Sequence, residues 1–128
     1  MKSTVLVVDD EQVIRTFCRK TLEMAGHHVL TASDGLEGVE LYHNHHKEID
    51  AVVLDMTMPN LSGEETLRKM LRINEDVRVV LSSGYDEPEA STRAHEGGFT
   101  VFLQKPYPPK KLLEMVQQVM AAGGAFRK

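Results

Sequence analysis

The hydrophobic pattern of this chain changes period repeatedly. Thr4 to Val8 is a continuous β-branched and aliphatic run, as expected of a strand covered on both faces. Val13, Ile14, Phe17, Cys18, Thr21 and Leu22 then recur at the spacing of one helix face, and Gly26 offers a stop. Val29 to Ala32 predicts a short second strand, and Asp34 with Glu37 three residues on reads as a capping box opening a second helix. Ile49 to Leu54 predicts a third strand. Pro59-Asn60 is a turn, and Ser62 with Glu65 is a further capping box. Leu67, Met70 and Leu71 stripe the third helix, and Val77 to Leu81 predicts a fourth strand. Asp86, Pro88 and Glu89 start a fourth helix, whose stretch from Glu87 to Glu96 offers a core only Ala90 and Ala94. Phe99 to Leu103 is the fifth strand. Leu112, Leu113, Val116, Val119 and Met120 stripe a fifth helix that ends at Gly123-Gly124.

Alternating strands and helices with short connections imply a parallel sheet with helices on both faces, joined by right-handed crossovers. The predicted fold is α/β, a flavodoxin-like (βα)5 doubly wound parallel sheet of strand order 2-1-3-4-5, formed by residues 1–128 as a single domain. In that order strands 1 and 3 are neighbours at the switch point.

Polar residues stand where the apolar runs stop. Asp9 and Asp10 follow Val5–Val8, Asp55 follows Ala51–Leu54, and Lys105 comes just after the fifth strand. Open α/β sheets place their sites at this end. Clustered carboxylates stay ionised together only with a compensating cation. Mg²⁺ suits them, since it takes one or two carboxylates, keeps waters and accepts a phosphate oxygen. Asp55 is then a candidate nucleophile toward phosphorus, Lys105 a point charge for the transferring group, and the Ser82 hydroxyl a donor to a phosphoryl oxygen. Each residue also has a plainer reading. Asp10 could cap the first helix, Asp55 could be a turn residue, Ser82 could be a turn residue before Gly84, and Lys105 a solvated charge. Their coincidence at strand ends favours the shared site.

Bulk properties narrow the partners. The 128 residues carry 15 Lys+Arg against 19 Asp+Glu, for a formal charge of −4, so nothing points to nucleic acid or an anionic membrane. The longest clean apolar runs, Val5–Val8 and Ala51–Leu54, are too short to span a bilayer or form a signal-peptide core. The single cysteine, Cys18, excludes an intramolecular disulfide and fits a reducing cytoplasm; its place on the apolar helix face predicts inert core. His43, His45 and His46 fall near the end of the second helix, where solvated, dipole-complementing side chains are expected rather than metal ligands.

Val7-Val8-Asp9-Asp10-Glu11, Asp55-Met56-Thr57-Met58-Pro59, Ser82-Ser83-Gly84 and Lys105-Pro106 together resemble a two-component response-regulator receiver domain, across essentially the whole chain. The resemblance implies that Asp55 accepts phosphate from a histidine kinase or a histidine phosphotransfer protein. It implies Mg²⁺ on Asp10 and Asp55 with the carbonyl of Thr57, and Asp9 acting mostly through water. It also implies Lys105 on the phosphoryl group, and a cis bond before Pro106. Ser82 and Phe102 match the family's hydroxyl and aromatic switch positions. Ser stands here where Thr is commoner and Phe where Tyr is common, so a switch at Phe102 must work by ring burial alone. The output surface is expected on the fourth helix, fifth strand and fifth helix, where a second copy or a downstream protein binds. Ser82 to Glu87 and Lys105-Pro106-Tyr107 are similar to receivers attached to hybrid histidine kinases, so the domain either stands alone or belongs to such a chain. As an isolated domain it would assist only its own phosphorylation and dephosphorylation.

Three rivals are weaker. An aspartate-nucleophile phosphohydrolase would carry Asp-x-Asp after the first strand and a cap insertion. A flavin carrier would need a hydroxyl- and glycine-rich loop where Asp9-Asp10-Glu11 would repel its phosphate. A phosphorylation-independent interaction module would not require so complete a site.

Overall fold

A computed structural model describes residues 2–84 and 99–126. The uninterrupted apolar runs become the strands of one parallel sheet: β1 (Thr4–Val8), β2 (His28–Ala32), β3 (Ile49–Asp55), β4 (Arg78–Ser83) and β5 (Phe99–Gln104). Their spatial order is β2-β1-β3-β4-β5, as the alternation predicts. Four helices are described: α1 (Gln12–Met24), α2 (Gly35–His45), α3 (Gly63–Ile73) and the C-terminal α4 (Pro109–Phe126). The helix expected from Asp86 to Glu96 lies outside the described residues.

Strict alternation along each strand builds two cores. Leu6, Val8, Val52, Leu54, Val79 and Leu81 face α2 and α3, where Tyr42, Leu67 and Met70 meet them. Val5, Val7, Ala51, Val53 and Val80 face α1 and α4, where Cys18, Leu22, Leu112, Val116 and Val119 meet them. Because both faces are covered, Val5 to Val8 are all fully buried.

The helix ends follow local chemistry. Gly26 takes a left-handed φ of 95° after α1, and its N–H bonds the Glu23 carbonyl at 3.0 Å, ending the helix. Ser62 and Glu65 form a complete capping box on α3. The box expected at α2 is only half formed. Asp34 accepts from the Glu37 N–H, but Glu37 reaches back to the Ser33 N–H and hydroxyl.

Two expectations need correction, and two of the plainer readings fall away. Asp10 does not cap α1: the N-cap is Glu11, without a side-chain cap bond. Val13, expected on the buried face, is 78% exposed, because it sits in the first turn, on the edge of the stripe led by Ile14 and Phe17. Ser82 is not a turn residue; with Ser83 it continues β4 past the expected end at Leu81, in register with Leu103 and Gln104. The last helix runs through Gly123-Gly124, since glycine lowers helix stability by about 1 kcal/mol without breaking the hydrogen-bond chain.

Candidate functional site

The order β2-β1-β3-β4-β5 brings the C-terminal ends of β1, β3, β4 and β5 to one edge of the sheet. Asp9 follows β1 directly, held by its N–H on the Ala32 carbonyl at 3.1 Å. Asp55 is the last residue of β3 and lies in register with Ser82 of β4. Lys105 follows β5, its N–H anchored on the Ser83 carbonyl at 2.8 Å, and the Lys105–Pro106 peptide is cis. Four separate segments therefore meet, although Asp9 and Lys105 are 96 residues apart.

The carboxylates of Asp9 and Asp55 are 2% and 3% exposed at the residue level, whereas Asp10 is exposed at the rim. One ligand oxygen from each of the three lies within 4.8 Å of the others. The Lys105 ammonium sits 3.0 Å from Asp9 Oδ2, 3.3 Å from Asp55 Oδ1 and 3.6 Å from Glu11 Oε1. Asp9 Oδ1 accepts the Glu11 N–H at 2.9 Å, and Asp55 Oδ1 accepts the Thr57 N–H at 3.2 Å. Thr57 itself is exposed beside the acidic group.

Charge crowding shows in the titration of these groups. Burial, and then the charge of Asp9, pushes Asp55 up to about 6 against the pull of Lys105 and the Thr57 N–H. Burial alone would lower Lys105, but the Asp9 hydrogen bond and the charges of Asp55 and Asp9 outweigh it and raise its pKa.

The Ser82 hydroxyl is buried beside Asp55 and has no hydrogen-bond partner among the described residues. An unsatisfied buried hydroxyl costs about 1–3 kcal/mol, so this donor is poised for an acceptor that the described residues do not supply. Phe102, in register with Leu81, is half-buried against the core on the α2–α3 side.

These observations meet in one family. A profile described as the response regulator receiver domain matches residues 5–117. The chain belongs to the response-regulator receiver family.

Individual receivers agree. The chain is 34% identical over 117 residues to the chemotaxis protein CheY of Treponema pallidum, covering 91% of this chain and 81% of that protein. It is 31% identical over 120 residues to the response regulator MprA of Mycobacterium sp. (strain KMS), covering 94% of this chain; it spans about half, 51%, of that relative's length. A solved CheX-CheY-BeF3-Mg²⁺ complex from Borrelia burgdorferi superposes with a TM-score of 0.86 at 30% identity, covering 91% of this chain and 88% of that one. Response-regulator receivers are signalling domains of two-component systems, and the flavodoxin-like sheet found here is their fold.

Of the residues expected at the site, Asp9, Asp10, Asp55, Lys105 and Ser82 do converge within the receiver fold. Two features were not anticipated. Asp9, expected to act mostly through water, holds Lys105 at the shortest distance of the three carboxylates. Glu11, which follows the acidic pair, is the third carboxylate on that ammonium. Its place next to the acidic pair was the available signal. Cys18 is buried as expected, and its Sγ lies 3.2 Å from the Tyr107 hydroxyl. Burial pushes this thiol up to about 11 despite that contact, in line with an inert core residue. The histidines at the end of α2 are exposed or half-buried, and none belongs to a metal-competent cluster among the described residues.

Lys105→Ala should leave the receiver folded and able to bind Mg²⁺, because the ammonium touches carboxylates rather than core. It should slow phosphorylation by acetyl phosphate at saturating Mg²⁺ by about 10²-fold, the usual loss for one preorganised charge. Intact-mass time courses would measure this; a wild-type rate would reduce Lys105 to a surface charge.

Proposed function

We propose that residues 1–128 act as one phosphoacceptor domain and that Asp55 is the sole acceptor. The observation that carries this reading is a buried carboxylate at the end of β3, flanked by Asp9 and Asp10 and 3.3 Å from the Lys105 ammonium. A carboxylate oxygen of Asp55 attacks phosphorus of a phosphohistidine on a histidine kinase or histidine phosphotransfer protein. The phosphorus–nitrogen bond breaks as the oxygen–phosphorus bond forms, the imidazole leaves with the bonding pair, and an acyl phosphate remains. Such transfers rest mainly on positioning and charge stabilisation. Lys105 supplies a positive charge for the phosphoryl oxygens, and Ser82 a buried hydroxyl donor that has no partner among the described residues.

The donor set fits Mg²⁺: three carboxylates within 4.8 Å offer only hard oxygens. Asp10 and Asp55 would hold the ion with the Thr57 carbonyl, and Asp9 through water. Bound there, Mg²⁺ neutralises charge on the transferring group. The Borrelia CheY complex with BeF3 and Mg²⁺ supports the same pairing of phosphoryl mimic and cation here.

Phosphorylation would draw Ser82 toward the acceptor and bias Phe102, which packs on the far side of the same strands, between ring positions. The output surface is then β5, α4 and the helix expected before β5, facing a second copy or a downstream protein. As an isolated domain the chain acts on no separate substrate and assists only its own phosphorylation and dephosphorylation. The motifs around Ser82 and Lys105 leave a hybrid histidine kinase as one candidate parent chain. A cytoplasmic location fits the single free thiol, and no described helix is long and apolar enough to cross a membrane.

Incubation with acetyl phosphate and Mg²⁺ followed by intact-mass measurement tests the assignment. The wild-type chain should gain one phosphate, and Asp55→Asn none. An undiminished adduct on that variant would remove Asp55 from the role.

A further inference from the structure

We propose that Arg15 is a positioning residue for the acidic turn, fixing the peptide that links Asp9 to Asp10 and so aiming the Asp10 carboxylate. The proposal rests on the reading of Asp9, Asp10 and Asp55 as a cation site. Arg15 lies one turn into α1, half-buried, and its Nη1 donates to the backbone carbonyl of Asp9 at 2.7 Å. That distance belongs to a strong charge-assisted bond.

The carbonyl is significant because of what else is held. The Asp9 carboxylate is fixed by the Glu11 N–H and by Lys105, and the Asp55 carboxylate by the Thr57 N–H and by Lys105. Asp10 is the exposed member of the three. Its carboxylate has no hydrogen-bond or ion-pair partner among the described residues, so its direction depends on its own backbone. The Asp9 carbonyl carbon is bonded to the Asp10 nitrogen. A guanidinium gripping that carbonyl orients the whole peptide plane, and with it the Asp10 Cα from which the carboxylate projects. The other end of the turn is tied by the Asp9 N–H to Ala32.

Two effects of Arg15 oppose each other. Its positive charge disfavours a nearby dication, while its hydrogen bond prearranges a ligand. The charge lies at a half-exposed position, where water and salt screen it. The hydrogen bond is local and unscreened. Positioning should therefore win, and groups that orient metal ligands commonly change affinity by tenfold or more.

The test uses the full chain with Arg15→Met, Arg15→Lys, Arg19→Met and Asp10→Ala. Arg19 lies one turn further along α1 and bonds the Thr31 hydroxyl at 3.2 Å, so it controls for charge removal on the same helix. Mg²⁺ affinity is read by calorimetry, and the Asp10 amide by NMR in metal-free protein. Both Arg15 variants should weaken Mg²⁺ binding about tenfold. They should shift the Asp10 amide without metal and recover the wild-type phosphorylation rate at saturating Mg²⁺. Arg19→Met should match wild type. Arg15→Lys keeps charge but loses the planar donor fork, so tighter binding in Arg15→Met with unchanged binding in Arg15→Lys would mean charge alone and overturn the proposal. So would unchanged affinity in both, or a maximal rate that stays depressed at saturation. If Asp10→Ala itself leaves Mg²⁺ affinity untouched, the cation site and this inference fall together. If Asp10→Ala abolishes binding and Arg15 has no effect, only the inference falls.

Discussion

Stripped of metal at pH 7, Asp55→Asn should melt about 5–10 °C above the wild-type chain. The reason is the cost of keeping the Asp55 carboxylate ionised inside the fold. Asp55 is 3% exposed, and its carboxyl is moved from an ordinary value of 3.8 to about 6, by burial first and by Asp9 second. At about 1.4 kcal/mol per pH unit, ionisation in the folded state costs about 3 kcal/mol. An amide of the same shape avoids most of that, and Lys105 keeps its 3.0 Å bond to Asp9. The sign follows from proton linkage. Between about 4 and about 6 the folded chain binds a proton at Asp55 that the unfolded chain has already lost. Wild-type stability therefore rises, relative to the variant, as pH falls through 6, and the difference closes below about 4. Mg²⁺ should close it from the other direction, because at about ten times a millimolar Kd it stabilises the wild-type fold by about 1.4 kcal/mol. Thermal melts with a chelator at pH 7, 6, 5 and 4 would measure the effect. Equal melting at pH 7, or a gap that widens on acidification, would show that the acidic cluster carries no such strain.

The same carboxylates explain how far the amino-acid sequence discloses this molecule. Strand stretches buried on both faces are apolar at each position, so Val5–Val8 and Ala51–Leu54 announce themselves as runs, and a charge that ends such a run is conspicuous. Asp9, Asp55 and Lys105 are legible for that reason. Ser82 and Ser83 are less so, since a hydroxyl pair at a strand end looks the same as a turn. In the fold it extends β4 because β3 and β5 flank it in register. Arg15 leaves no pattern. An arginine on the polar side of a helix is ordinary, and its bond to Asp9 depends on how α1 enters beside the sheet. Glu11 is similar: its reach to Lys105 requires a partner 94 positions away to be placed first by β5. What periodicity conveys is which face is buried. What it omits is contact made across the ends of elements, where the chemistry resides.

Gly63 is the sharpest instance, and Gly63→Ala should be among the most damaging single substitutions outside the acidic cluster. The capping box around it is visible in Ser62 and Glu65, yet the glycine itself looks like a poor choice for the first turn of α3. Alanine there would raise helix propensity by up to about 1 kcal/mol. The structure shows why it is excluded. A Cβ on Gly63 would stand 2.5 Å from Met56 Cα and overlap the carbonyl of Asp55, both backbone atoms that no rotamer can move. The Gly63 N–H also bonds the Met56 carbonyl at 2.9 Å, so the start of α3 already touches the residue that follows β3. Overpacking of this kind costs about 1–3 kcal/mol or more, which outweighs the gain in propensity. The displaced atoms belong to Asp55-Met56-Thr57, so the strain falls on the proposed acceptor and on the Thr57 backbone proposed to hold the cation. Gly26 supplies the contrast. It needs glycine for its φ of 95°, but a Cβ there would meet open space. Gly26→Ala should therefore lower stability by about 1 kcal/mol and leave phosphorylation unchanged. Gly63→Ala should lower the melting temperature by about 5–10 °C. Assayed well below that temperature, it should also slow acetyl-phosphate labelling of Asp55 by about tenfold or more, as expected when reacting groups are misplaced. A Gly63→Ala protein that labels at the wild-type rate would mean that the turn between β3 and α3 can yield without disturbing the acceptor.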